Sequence, residues 1–585
     1  MKRLLTCDRL LFLFFLTGCF LFFEINYRYF YRFMEQYSLF LFTSDYFSEL
    51  LCQPGGFNEY LTAFITQFFA FPFIAAGCLS LLLGITAAFF HRFLKHCGIK
   101  TSVMTAILPV FLFWLFPVES IASILTVLLG SAVAYGYSSI SKPAARHAYG
   151  FLILLLLYLL ATPAHLLAAV LMAIYEGHTG KGWQRFLIAG GIVFWSVVLP
   201  LLAMRTIYIV STREAFLSKY LFHPEYPVPS SFWYILASFP AVTLAAYALR
   251  NRKMALKKEW VKTVSLSLLL ALLMGVLTWR GQHPLEQAYR YDWYARQQQW
   301  DKIVGHAEKQ GVKDKDALVY VNLAFSYTGR FNEGLMSYPQ IGEEGFIPYE
   351  PKTRLGLIEA SEVAWRVGHT NAAQRFAFVG VLSAERSVQP RLMKRLVETY
   401  LVNKEYKVAE KYIKILESTL FYRTWAKEHR LLLDHEKAAI SDWITERRQF
   451  NPLTDNNFDL TKTFSNALAF LIDDHPDNQA AFEYGMGYLL IYKELGAFMH
   501  YMNLLKERGE PIPAFYQEAI CIYYSAVENN PEVFRSFAID PAIQNRFLSY
   551  LSQVQSLSPA LLARQFSDTY YYYAQFVQPP KRQNQ

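Results

Sequence analysis

Residues 261–280 read VKTVSLSLLLALLMGVLTWR, and residues 281–300 read GQHPLEQAYRYDWYARQQQW. The first stretch is apolar over about the 20 residues that a helix needs to cross a bilayer. The second is rich in charges and amides, and no comparable apolar run follows it. Upstream of this junction, apolar spans alternate with short basic connectors. The sequence therefore reads as all-α, with a polytopic membrane domain over residues 1–280 and a soluble helical domain over residues 281–585.

The composition is an average over two solvents. A hydrophobic fraction of 54%, with 17% aromatic and 18% charged residues, is too apolar for a soluble chain and too polar for spans alone. Phe (48) and Tyr (39) are abundant, as expected where rings sit at a membrane–water boundary. The formal charge of +9 is spread over connectors rather than gathered in a patch, so no nucleic-acid partner is expected. The six cysteines, at 7, 19, 52, 78, 97 and 521, show no CxxC spacing. Neither a metal site nor a disulfide framework follows from them.

Apolar stretches lie at 10–26, 61–89, 101–117, 120–138, 148–162, 164–176, 186–204, 232–249 and 261–279, which predicts about nine spans. The fifth and sixth form a hairpin broken at Thr162-Pro163. Lys2, Arg3, Arg9, Arg92, Lys95, Lys100, Lys142, Arg146, Lys181, Arg185, Arg250, Arg252, Lys253, Lys257 and Lys258 fall in one set of connectors. The opposite set has only Arg28, Arg32, Arg205, Arg213 and Lys219. Basic loops stay in the cytoplasm, so the amino terminus is expected there, and an odd number of spans carries residues 280–585 to the other side. Leu16-Thr17-Gly18-Cys19 matches a lipobox. The apolar run continues through Phe20-Leu21-Phe22-Phe23, which predicts a chance match inside an uncleaved span.

The soluble half repeats. Tyr294, Trp300 and Ile303 have the offsets of Phe325, Phe331 and Gly334, a further set runs through Gly368, Ala373 and Ala377, and another through Leu396, Tyr400, Tyr406, Ala409, Ile413 and Leu416. The sets recur roughly every 31–39 residues, around the 34-residue tetratricopeptide period. A large residue on one helix facing a small one on the next lets the two approach, and stacked pairs bury what one pair cannot. Residues 286–420 thus resemble degenerate tetratricopeptide repeats. A polar break is predicted at 450–460, then helices at 461–474, 478–492, 495–508, 512–528 and 540–555. The run Tyr570-Tyr571-Tyr572-Tyr573 predicts a terminal helix docked on the stack.

Catalytic signatures are sparse. There is no GxxxxGK[ST], no GxGxxG after a strand, no HExxH and no GxSxG,. Gln67, His165 and a snorkelling Lys262 are the polar residues nearest the spans, fewer than transport requires. The loop 24–60, predicted on the outer side, is aromatic and holds Glu24, Arg28, Arg32, Glu35, Asp45, Glu49 and Glu59. Were it a transferase site, Glu24 or Glu49 would act as general base toward an acceptor hydroxyl, and Arg28, Arg32 and Arg205 would hold a phosphate. That layout is similar to GT-C-type membrane glycosyltransferases using polyprenyl-phosphate-linked sugars, although the acidic pair usual in their loop is missing. The other reading is an aromatic, interfacial loop with solvated charges.

Gln53-Pro54-Gly55-Gly56, Tyr291-Asp292-Trp293-Tyr294 with Trp300, and Asn322-Leu323-Ala324 with Gly329 carry a wider resemblance. So do Phe421-Tyr422-Arg423, Ala481-Phe482-Glu483-Tyr484 and Asp568-Thr569-Tyr570. Together they resemble a multi-span family from Bacteroidetes, a domain of unknown function, over nearly the whole chain. The resemblance implies a Gram-negative inner membrane and a periplasmic second half, and it implies no catalytic residue. The expected role is a membrane-anchored helical-repeat scaffold for protein or peptide partners, with no cofactor; the alternative is the transferase.

Overall fold

The computed structural model describes residues 7–37, 39–99, 103–116, 121–180, 182–218, 230–249, 259–382, 389–451, 460, 464–525 and 536–582. Among them every regular element is a helix. The chain divides into two compact units, residues 1–286 and 287–585.

In the first unit each of the nine apolar stretches carries a helix, and among the described residues five helices are long and apolar enough to cross a membrane. These are Ile74–His96, Ile121–Ser139, Pro143–Ala161, Gln184–Thr206 and Ser230–Leu249. A sixth is possible in length if Asp8–Asn26 and Arg28–Tyr37, bent by 82° to one another, count as one broken span. The expected continuous span at 61–89 is two helices, Gly56–Thr66 and Ile74–His96, with a short 3₁₀ turn between. The interruption is Phe71-Pro72-Phe73. Proline removes a backbone donor and pushes its predecessor to extended backbone, and Phe71 is extended while Phe73 takes a left-handed φ of 66°. Val103–Leu115 is apolar but has only 13 residues. The hairpin break at Thr162-Pro163 is present, between Pro143–Ala161 and Ala164–Thr179.

The core of this unit forms where the first helix meets its neighbours. Trp114 stacks on Phe22 with ring centroids 4.8 Å apart, and its Nε1 donates to Cys19 Sγ at 3.2 Å. Cys19 is fully buried, a packing residue inside the helix Cys7–Asn26. A Cβ at Gly18 would stand 1.2 Å from Met274 Cε, so the end of the Met274 side chain fills the space beside this glycine. Lys2, Arg3, Lys100, Lys181, Lys219 and the basic residues 250–258, on which sidedness leans, lie outside the described residues.

The second unit begins as helical hairpins: Glu286–Arg296 with Trp300–Gln310, Arg354–Arg366 with Thr370–Leu382, and Pro390–Val402 with Tyr406–Glu417. In the latter two hairpins the paired helices pack on one another, and in the first the Tyr291 hydroxyl bonds His306 Nδ1 at 3.0 Å. The hairpin that starts with Lys315–Tyr327 departs from the expected repeat, because its second helix, Phe331–Gly334, lasts only four residues. Pro339 follows, with Pro348 and Pro351 farther on, and proline cannot continue helical hydrogen bonding. Farther on come Phe464–Asp474, Gln479–Ile491, Leu495–Glu507, Ala514–Tyr523 and Pro541–Gln553; residues 452–459 of the expected polar break lie outside the described residues. The tyrosine run forms the helix Tyr570–Phe576. It docks on the helix Gln479–Ile491, beyond the expected repeats at 286–420, with the Tyr570 and Tyr573 hydroxyls donating to the carbonyls of Leu490 (3.0 Å) and Ile491 (2.9 Å).

Candidate functional site

The loop 24–60 is built around the 82° bend that ends the first helix. Past the bend, the short helix Arg28–Met34 buries Tyr29, Phe30, Tyr31, Phe33 and Met34. Its first turn has orphan backbone donors, as every helix start does. They are met by Glu286, whose two oxygens accept from the amides of Tyr29 (2.7 Å) and Phe30 (3.1 Å). His283 stacks on the Phe30 ring at 4.4 Å, and its amide donates to the Asn26 carbonyl. The segment leaving the last apolar helix therefore clamps the bend that follows the first.

Of the candidate transferase residues, the structure brings Glu24, Arg28 and Arg32 together. Glu24 is buried and pairs with Arg28 Nε at 2.6 Å, one helical turn on. Arg32 lies over the Tyr29 ring at 5.3 Å. All three line a cleft with Tyr27, Tyr31 and Phe73 whose volume is about 10 Å³, room for a single water. Glu49 is exposed on the helix Ser44–Leu51, and Arg205 is exposed near the end of Gln184–Thr206. Neither lines that cleft. The arrangement can hold a carboxylate against a guanidinium and one water; it offers no preformed space for a sugar phosphate.

The second unit holds two polar features that sequence reasoning missed. The first is a buried charge cluster. Asp292, 1% exposed, accepts from the Tyr320 hydroxyl and pairs with Arg391. Glu362 pairs with Arg391 (3.2 Å) and Arg395 (2.8 Å), and Arg395 also lies over the Trp365 ring at 4.4 Å. Burial alone would raise the Glu362 carboxyl, but the two guanidiniums outweigh it and hold it at about 2. One turn away, Glu359 is 0% exposed and its oxygens have no hydrogen-bond partner. Burial, reinforced by Asp316 and Asp292, raises that carboxyl far above its ordinary range and keeps it neutral.

The second feature is an open cavity of about 720 Å³ on the surface, lined by Asn371, Gln374 and Phe378 on one helix, Tyr400 and residues 402–405 at a turn, and Arg448 with Asn451 on a third segment. Its size falls in the ordinary range for ligand sites. The i, i+3, i+7 stripe Asn371–Gln374–Phe378 is a legible surface face. The other walls come from segments about 30 and 75 residues away, beyond any local signal. Among the described residues, no group of three or more His, Cys, Asp or Glu is placed to hold a metal ion.

The chain belongs to a family of unknown function (DUF6057), which matches residues 2–577. No curated protein and no solved structure matches it.

Proposed function

We propose that this family member is a multi-pass inner-membrane protein that holds a tetratricopeptide-like helical scaffold in the periplasm for protein partners. The observation that carries this reading is where space is found. The soluble unit has a cavity of about 720 Å³, whereas the cleft at Glu24 admits about one water. The hairpins support it, because Gly334 meets Phe325 as large-against-small packing requires: a methyl there would lie 2.4 Å from the ring. Five membrane-length helices support the anchor, and the excess of Lys and Arg in alternate connectors supports an exported second half.

Photo-crosslinkers placed at Phe378 and Gln374 in native membranes, followed by mass spectrometry, test the scaffold. The same protein should be captured at both positions and missed from a crosslinker at the lipid-side Leu152. Capture of lipid or of nothing at the two cavity positions would contradict it. A transferase is the second reading, favoured by the Glu24–Arg28 pair with Arg32 beside it. It requires Glu24→Gln to abolish function with the fold retained, whereas the scaffold tolerates that change.

A further inference from the structure

The hydrogen bonds around the large cavity run in one direction. Asn451 Nδ2 donates to Asn403 Oδ1 at 3.1 Å, and Asn403 Nδ2 donates to Asn371 Oδ1 (3.1 Å) and Gln374 Oε1 (2.9 Å). Reversing every amide would bury the Asn451 amino group without an acceptor, and orphan buried donors are rarer than orphan carbonyls. The observed direction leaves the lesser orphan, Asn451 Oδ1, buried and unpartnered. The carbonyl oxygens of Asn371, Gln374 and Asn403 are each committed as acceptors, so the amino groups of Asn371 and Gln374 are what the wall has left to offer.

Charge points the same way. Arg448 is fixed at the carboxyl end of the helix Pro390–Val402, where the helix dipole favours a cation. Its Nε donates to the Val402 carbonyl (3.0 Å) and its Nη2 to the Leu401 carbonyl (2.9 Å) and the Tyr406 hydroxyl (3.2 Å). Among the described residues the lining also holds Arg375 and Lys404, with Glu405 as its carboxylate. Counted over those residues, three cations against one anion give a formal +2. Such a wall selects a ligand rich in acceptors and negative charge. Asn451 Oδ1 is sealed behind the wall and offers nothing to a ligand, and Phe378, 40% exposed, adds an apolar surface.

We propose that this cavity binds an acidic, extended segment of a partner protein. Side-chain carboxylates and main-chain carbonyls would meet the amide and basic donors. The proposal rests on the scaffold reading and gives it a ligand class.

The test uses the full chain in lipid nanodiscs and fluorescence anisotropy of a labelled Gly-Asp-Gly-Glu-Gly-Asp-Gly-Glu peptide, with its Asn/Gln twin as control. The acidic peptide should bind at least about tenfold more tightly than its twin, and Lys404→Glu or Gln374→Leu should each weaken it by about tenfold. Both variants should keep the parent melting temperature; Lys404→Gln, with a smaller loss expected, replaces Lys404→Glu if that one misfolds. Equal binding of the two peptides, or no change in the variants, would overturn the proposal. So would displacement by inorganic phosphate at the concentration at which unlabelled peptide competes, which would mark a free-anion site. If the crosslinked partner of the wild type is still captured by the Lys404→Glu variant, the scaffold stands and the acidic-segment proposal falls.

Discussion

Gly334 sets the distance between two helices in the second unit. Three atoms of the Phe325 ring lie 2.4–2.5 Å from where a Cβ would stand, so Gly334→Ala must push the ring or the helix aside. Overpacking of this kind costs about 1–3 kcal/mol. Phe325→Leu should recover most of that loss when combined with Gly334→Ala, and a double-mutant cycle from chemical denaturation measures the coupling. Strictly additive losses would mean that the two residues do not limit each other. The pair was legible in the sequence, because a bulky residue and a glycine nine positions apart fit a helical hairpin. Glu359 and Glu362 were not. They share a helix and a residue type, yet Arg391 and Arg395 reach only one of them, and sequence spacing does not reveal which. Their titrations should oppose each other. Glu362 sits at about 2 when folded against an ordinary 4.5, so its stabilisation is complete above about pH 4.5 and lost as pH falls toward 2. Glu359 is raised, so its contribution is complete below about pH 4.5 and lost as pH rises through its folded value. Glu362→Gln should destabilise the unit at neutral pH and flatten the acid limb of its stability curve. Glu359→Gln should cost little at neutral pH and flatten the alkaline limb; the reverse pattern would exchange the two protonation states.

Helices broke where local chemistry competes with apolar continuity. Hydropathy sees residues 61–89 as one run, because Phe71 and Phe73 are as apolar as their neighbours, but Pro72 between them ends the helical hydrogen bonding. The Thr162-Pro163 break was legible for the same reason. The shortened helix Phe331–Gly334 was not, since the repeat pattern holds through Gly334 and the prolines that stop it lie beyond. The clamp on the first bend was also hidden, because Glu286 lies more than 250 residues from the amides it caps. Glu286→Ala would leave the Tyr29 and Phe30 amides buried without that acceptor, at roughly 1–3 kcal/mol each. The detergent-solubilised chain should therefore melt at a lower temperature, with a smaller fall for Glu286→Gln, which keeps one acceptor. Equal melting of wild type and Glu286→Ala would show that the clamp does not hold the bend.

The molecule as a whole is a helical membrane-length unit followed by a helical unit with its own core, and what joins them to function is sidedness. Five membrane-length helices, or six with the bent pair, are fewer than the nine apolar stretches of the sequence. Whether Val103–Leu115, Ala164–Thr179 and the 22-residue Glu259–Arg280 also cross decides the parity, and parity decides where residues 281–585 stand. The scaffold account requires that the last apolar helix crosses outward: basic residues 250–258 before it remain in the cytoplasm, and the hairpins after it face periplasmic partners. The most direct measurement is a pair of fusions to a phosphatase that folds only in the periplasm, one after Lys258 and one after Gln282. The account predicts an inactive fusion at 258 and an active one at 282. Activity at 258 with silence at 282 would place the helical unit in the cytoplasm and contradict it.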